Sequence, residues 1–435
     1  MRINIIGAGL AGSEACYQLL KRGYKVILTE MRPCKLTPAH KSGLFAELVC
    51  SNSLKSVDPF TSSGLLKYEL ETLDSLIIRC AKEAAVKAGA ALAVDREIFS
   101  GLVETELLKF ENLEIRREEA EKIGEAPVIV ASGPLTSDAL SQDIERKLGG
   151  GLHFFDASAP IVSAASIDLS RAFFGGRYGK GGEDYLNCPM SREEYEAFYE
   201  ALISAATAPL KNFEDSAVFS GCMPIETMAK RGRDTMRFGP LRPVGLRGSE
   251  GEKYYAVVQL RRENAAGDMY NLVGFQTNLT FGEQKRVFGL IPALRNAEFL
   301  RYGVMHRNTY INSPESLDET FRLKGEDAVY FAGQITGVEG YVESAASGLL
   351  AALHLSRELS GLPKLLPPET TLLGALSRYI ARKNADFQPM NANFGLLPSV
   401  SGRDKKERGR AYFERSLKDI GVYASQINGV DNPEA

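Results

Sequence analysis

The chain opens with a short apolar run, Ile3–Ile6, that stops at a glycine. The polar pattern then changes to helical spacing as far as about Lys21, and a second apolar run, Lys25–Thr29, ends at Glu30. This order predicts strand, helix, strand. Leu66, Leu70, Leu73, Ile77, Cys80 and Ala84 recur at helical spacing, which predicts one helix with Cys80 in its apolar stripe. Cys16, inside the first helix, is likewise expected to pack. PVIVASGP (127–134) is an unbroken apolar run ending in small residues, the mark of a strand covered on both faces. Far along the chain, Ala328–Ala332 leads to Gly333-Gln334, more glycines and a long small-residue helix, repeating the first design. Between these ends, YYAVVQL (254–260) and NLVGFQT (271–277) read as half-buried strands. Beyond Pro363 the chain is loop-rich and then helical.

The first unit carries Gly7-x-Gly9-x-x-Gly12 at the junction of strand and helix. Glycines there permit a tight turn, close approach of a pyrophosphate and close helix–strand packing. The helix N-terminus faces the phosphates, and Glu30 stands where ribose hydroxyls are accepted. The expected cofactor-binding set is Gly7, Ala8, Gly9, Leu10, Ala11, Gly12 and Glu30. The second strand–Gly–helix unit, with Gly333 and Gln334, suits a ligand longer than a nicotinamide dinucleotide and points to FAD. The expected class is α/β: a Rossmann-like FAD-binding domain of glutathione reductase type, assembled from both ends of the chain, with an inserted α+β domain. The expected parts are residues 1–180, an insertion at 181–319, and 320–435 with a helical tail.

Composition adds boundaries. A chain of 435 residues, 44% hydrophobic and 25% charged, is long enough for two or three domains with a sizeable core. A formal charge of -3 offers no global attraction for nucleic acid, so such a partner needs a local patch. No apolar run reaches membrane-span length, and glycines follow the N-terminal apolar run too soon for a signal peptide. Six cysteines without a C-x-x-C, and four histidines without an i, i+4 pair, argue against a disulfide framework, a zinc ribbon and a transition-metal site. Reduced thiols in the cytoplasm are the expectation.

Two stretches then stand out. Residues 228–248, MAKRGRDTMRFGPLRPVGLRG, hold six Lys or Arg against one Asp. Such a run is either a solvated loop or a phosphate-contacting surface. A second basic cluster runs from Arg403 to Arg410. FAELVCSNS (45–53) puts Cys50 where an apolar segment turns polar, and Cys222 lies just upstream of the basic run. A packing cysteine usually has apolar neighbours on both sides. GGRYGKGG (175–182) fails as a phosphate loop, because three residues separate Gly175 from Gly179 and Gly181 follows Lys180. It reads as a flexible loop.

GAGLAGSEA, EMRP, TPAH, FAELVCSNS, ALAVDRE, GPLTS, SGCMPIE, RYGVMHRNTY, GVEGYVESAASG and FQPMNANFG, in this order, resemble the folate- and FAD-dependent tRNA (uracil-5-)-methyltransferases, the TrmFO (Gid) family. The resemblance spans about residues 3–401. It implies methylation of the T-loop uridine of tRNA to ribothymidine, with methylenetetrahydrofolate as carbon donor, FADH2 as reductant of the new group and NAD(P)H as external reductant. It implies Cys50 and Cys222 as catalytic, Tyr341 beside the flavin, and His306 and Arg307 on the folate side. Lys230, Arg231, Arg233, Arg237 and Arg242 are the expected tRNA contacts. Thiolate addition at C6 would activate C5 of uracil, and a thiolate needs cations nearby. The target base must also leave its stack. The same chemistry on ribosomal RNA, an NAD(P)H-dependent flavin reductase acting on a small molecule, and a non-catalytic flavin-bearing RNA-binding module all remain open at this point.

Overall fold

The computed structural model describes residues 1–37, 39–148, 152–179, 182–208, 223–247, 251–384 and 387–430; side chains at 152–156, 306, 307 and 428–430 are outside that description. Five parallel strands form the first sheet, in the order Val329–Phe331, Val128–Val130, Arg2–Ile6, Lys25–Thr29, Leu113–Arg116. The C-terminal strand thus pairs directly with the middle of the N-terminal unit, Tyr330 opposite Ile129. Helix Leu10–Leu20 follows the first strand, and helix Tyr341–Leu359 lies against it. The contact is close because Gly348 has no side chain: a Cβ there would sit 2.1 Å from the Ala11 carbonyl oxygen. Two ends of the chain therefore share one core, in which Ile5, Leu28, Val130, Phe331 and Leu349 are fully buried.

A second, six-stranded antiparallel sheet has the order Phe173–Phe174, Tyr185–Met190, Ala256–Arg262, Met269–Leu272, Ile161–Ser163, Phe299–Arg301. It packs its own core around Tyr195, Phe198, Val258, Phe275 and Phe288. The two units are joined by an antiparallel pair, Leu152–Ala157 with Met305–Tyr310. Because strand Ile161–Ser163 already belongs to the second sheet, the insertion runs between these joining strands and not from 181 to 319. The NLVGFQT segment departs from expectation too: its strand ends at Leu272, and Gly274 turns at φ 78°.

The apolar stripe from Leu66 to Ala84 is buried as expected but belongs to two helices, Ser62–Thr72 and Leu76–Glu83. The break has a cause outside the stripe. Glu14, fully buried on the first helix, accepts from Ser75 Oγ at 2.7 Å and from the Ile77 amide at 3.0 Å. Those donors start a new helix, and the Ser75 side chain caps it. The tail is helical at Leu372–Ala381 and Lys405–Val430, as read, with Arg403–Arg410 at the start of the last helix.

His354, on the Tyr341 helix, is buried and donates Nε2–H to the Leu365 carbonyl. Burial pushes it down to about 4. The unfolded chain takes up that proton near pH 6.5, so this contribution to stability is present above about 6.5 and is lost as pH falls toward 4. The linkage is worth as much as ~3 kcal/mol. His354→Gln is expected to flatten the loss of thermal stability across that window relative to the parent; equal slopes would place the acid sensitivity elsewhere.

Candidate active site

The glycine turn sits at the C-terminal end of the parallel strands, where open α/β sheets bind ligands. Gly7 turns at φ 96°, and a Cβ on Gly12 would lie 1.8 Å from the Gly7 oxygen, so strand and helix touch there. Gly9 differs: a Cβ there meets no protein atom within 4 Å, and no side chain caps the helix it starts. The turn is thus open on the side that an anionic group would approach. Glu30 is 5% exposed and already engaged. Its Oε2 accepts the Ala8 amide at 2.7 Å, and its Oε1 accepts Arg32 Nε at 2.8 Å. Burial alone would raise this carboxyl, but the hydrogen bonds and charge of Arg32 outweigh it and hold it below the usual range.

Two cavities lie at this end of the parallel sheet. One is lined by Gly7, Gly9, Glu30, Arg32, Ser132 and Thr136. The other, about 260 Å³, is lined by Cys50, Lys55, Pro134, Gln276, Asn308, Gln334, Tyr341 and Glu343. Asn308 is fully buried, yet neither amide atom has a protein partner. Buried polar groups are nearly always paired, so this amide has capacity for a ligand. An open pyrophosphate turn, a carboxylate at the adenosine end and an unpaired amide at the far end fit an extended dinucleotide such as FAD.

Cys50 lies in a segment held from several sides. Phe45, Ala46 and Leu48 are buried in the first core. The Tyr341 phenol oxygen accepts the Cys50 amide at 2.8 Å and the Ser51 amide at 3.1 Å. Burial, then the nearby Cys50 thiol, push this phenol up, so it stays protonated at neutral pH. Arg301 donates to the Val49 carbonyl at 2.8 Å, and Arg96 to that of Leu48. From the second sheet, Arg261 reaches Asn52 Oδ1 and Ser51 Oγ, each at 2.9 Å. The Cys50 thiol is half-buried, 3.7 Å from the Ala157 carbonyl, and lines the larger cavity. Cys16, Cys80 and Cys188 are buried in the cores, and burial pushes Cys80 and Cys188 up to about 12. Packing thiols and a cavity thiol are thus separated by environment.

Cys222 lies outside the described residues, as do the side chains of His306 and Arg307, whose backbones pair with Asp156 and Phe155. Three residues after Cys222, the Ile225 amide donates to the Gln276 carbonyl at 2.7 Å, and Gln276 lines the Cys50 cavity. Gly333 and Gln334 stand at the end of the C-terminal strand, and Gln334 donates to Glu339 at 2.6 Å. The basic run divides. Arg233 pairs with Glu196 and Glu200 and lies over the Tyr199 ring. Arg237 pairs with Asp234 at 2.6 Å and sits 3.6 Å above the centre of the Tyr255 ring. Both are bound within the protein, which weakens them as RNA contacts. Lys230, Arg231 and Arg242 are exposed and form no ion pair among the described residues.

Sequence reasoning passed over Arg32, Arg261 and Asn308. The signals were EMRP beside Glu30 and the Ser-Asn pair after Cys50, since a buried Asn needs partners. Among the described residues no acidic, His or Cys cluster could hold a metal ion, and no helix is long and apolar enough to cross a membrane.

The family model described as glucose inhibited division protein A matches residues 2–363. A protein of Acetivibrio thermocellus, named methylenetetrahydrofolate–tRNA-(uracil-5-)-methyltransferase TrmFO, is 55% identical over 433 residues, covering 98% of this chain and 99% of its own. One of the same name from Pelotomaculum thermopropionicum is 55% identical over 432 residues, with the same coverage. The crystal structure of Aquifex aeolicus GidA shares the fold at TM-score 0.71 and 15% identity, over 98% of this chain and 73% of that one. The chain therefore belongs to the glucose inhibited division protein A family, and within it to the TrmFO relatives that it matches over 98% of its length.

Proposed function

We infer that this chain methylates C5 of a uracil in tRNA, taking the carbon from methylenetetrahydrofolate and the electrons from FADH2. The observation that carries the reading is the Cys50 thiol held in a cavity at the open end of a dinucleotide fold. Bound FAD supplies the reducing electrons, and we propose NAD(P)H as their external source. The T-loop uridine is the proposed target, and the cytoplasm the proposed compartment.

The chain's own residues divide the work as follows. Gly7, Ala8, Gly9, Leu10, Ala11 and Gly12 cradle the pyrophosphate. Glu30, fixed by Arg32, closes the adenosine end. Asn308 and Gln334 present amides at the other end. Cys222 attacks C6 as a thiolate, giving an enolate that is nucleophilic at C5. Ile225, three residues further along the chain, is tied to the Gln276 carbonyl, and Gln276 lines the Cys50 cavity. Cys50 removes the C5 proton after the carbon arrives, the bond from that carbon to its carrier nitrogen breaks to leave an exocyclic methylene, and the C6–sulfur bond breaks as the methylene is reduced to methyl. Tyr341 holds the Cys50 amide throughout. His306 and Arg307, on the strand that carries Asn308, are the proposed folate contacts.

Gly9→Val tests the cofactor site without disturbing the protein, because the space it would fill is empty of protein atoms. The purified variant should be folded and colourless where the parent is yellow; full flavin content would remove the turn from the site. The division between thiols is tested by RNA carrying 5-fluorouridine at the target, which has no C5 proton to lose. Cys50→Ala should still form a covalent protein–RNA adduct, and Cys222→Ala should form none. The reverse pattern exchanges the roles, and trapping by both variants would contradict a single fixed attacking thiol.

A further inference from the structure

Loop 175–179, set aside as a phosphate loop on its spacing, carries an arrangement that the reaction described above does not use. Tyr178 is 65% exposed and adopts φ 57°, ψ 29°, a left-handed conformation uncommon for an aromatic residue. Its amide donates to the Gly245 carbonyl at 2.7 Å. A Cβ on Gly245 would lie 2.9–3.0 Å from Cζ, Cε1 and Cε2 of the ring together, so Gly245 lies under one ring face. The ring is supported from one side.

Beside it, Arg177 donates Nε–H to Gln259 Oε1 at 3.0 Å and a terminal N–H to the Val244 carbonyl at 2.9 Å. It forms no ion pair among the described residues, and neither do Arg242 and Arg247. Burial and the charge of Arg242 both lower Arg177. Two cations brought together with no carboxylate paired to either among the described residues, in a chain of net charge -3, are complementary to an anion from outside. The surface also faces the reaction centre. Ala256, Val258 and Leu260 turn into the second core, which leaves Gln259 and Arg261 on the opposite face of that strand. Gln259 holds Arg177, and Arg261, about 7 Å further along, holds Ser51 and Asn52 beside Cys50.

We propose that Tyr178, Arg177 and Arg242 form a nucleotide subsite, in which an unstacked base of the RNA substrate lies on the free face of Tyr178 and its phosphate meets the two arginines. This rests on the tRNA reading above. A polymer is favoured over a free dinucleotide because exposed Arg231, Arg247, Phe238 and Val244 continue along the same segment. Stacking on an aromatic ring tolerates any base, so the subsite holds the strand and leaves sequence choice to the catalytic pocket.

Binding of an unmodified tRNA transcript to the FAD-bound full chain, measured over a range of salt, tests this. Tyr178→Ala should weaken binding roughly 5- to 160-fold, the worth of one stacked base, with its salt slope unchanged, and Tyr178→Phe should restore it. Arg242→Ala should lower the slope by about one, since each phosphate contact releases about one counterion. Melting temperature and flavin content serve as checks of folding. If the parent binds and Tyr178→Ala binds equally well, the subsite is wrong while the methylation reading stands. If Tyr178→Ala keeps its RNA affinity but loses flavin reduction by NAD(P)H, the ring belongs to a nicotinamide dinucleotide and the proposal is overturned. A parent that does not bind the transcript overturns the tRNA reading and the subsite with it.

Discussion

One phenol oxygen joins the two ends of this chain at the point where chemistry is proposed. Tyr341, the first residue of helix Tyr341–Leu359, accepts two successive amides, those of Cys50 and Ser51. A backbone amide left unpaired in such a place costs about 1–3 kcal/mol. The contact requires helix Tyr341–Leu359 to be seated, which in turn requires the absent side chain at Gly348 and the parallel pairing of Val329–Phe331 with Val128–Val130. Thiol position therefore depends on assembly of the nucleotide domain from both ends of the chain.

The second sheet supplies the opposing support. Arg261 reaches across to Ser51 and Asn52, and the Asn52 side chain returns hydrogen bonds to the Val94 and Arg262 carbonyls. Arg261 stays buried beside Glu263, itself ion-paired with Arg96. Paired charges of this kind are costly to desolvate but fix one geometry between two distinct cores.

Much of this was legible in the sequence. The glycine turn, its strands and Glu30 follow from local pattern, because the backbone geometry there admits few residues. Cys50 could be separated from Cys16 and Cys80 because polar residues follow it. What was not legible depends on long-range partners. The stripe from Leu66 to Ala84 keeps its apolar period across a helix break imposed by Glu14, over fifty residues earlier. The basic run gives no sign that Glu196 and Glu200 engage Arg233 or that the Tyr255 ring lies under Arg237. Arg177 and Tyr178 were masked by a failed motif, since their role comes from Val244, Gly245 and Gln259.

The dependence of thiol placement on Tyr341 is the claim most directly open to measurement. Tyr341→Phe keeps the ring and removes the oxygen that accepts both amides. Rates of ribothymidine formation should be compared at saturating tRNA and methylenetetrahydrofolate, with flavin content and tRNA affinity measured on the same preparations. The account predicts a fall in kcat of about tenfold, matching the loss of hydrogen bonds worth about 1.4 kcal/mol, at unchanged flavin content and tRNA affinity. An unchanged kcat in a fully flavinylated variant would contradict it.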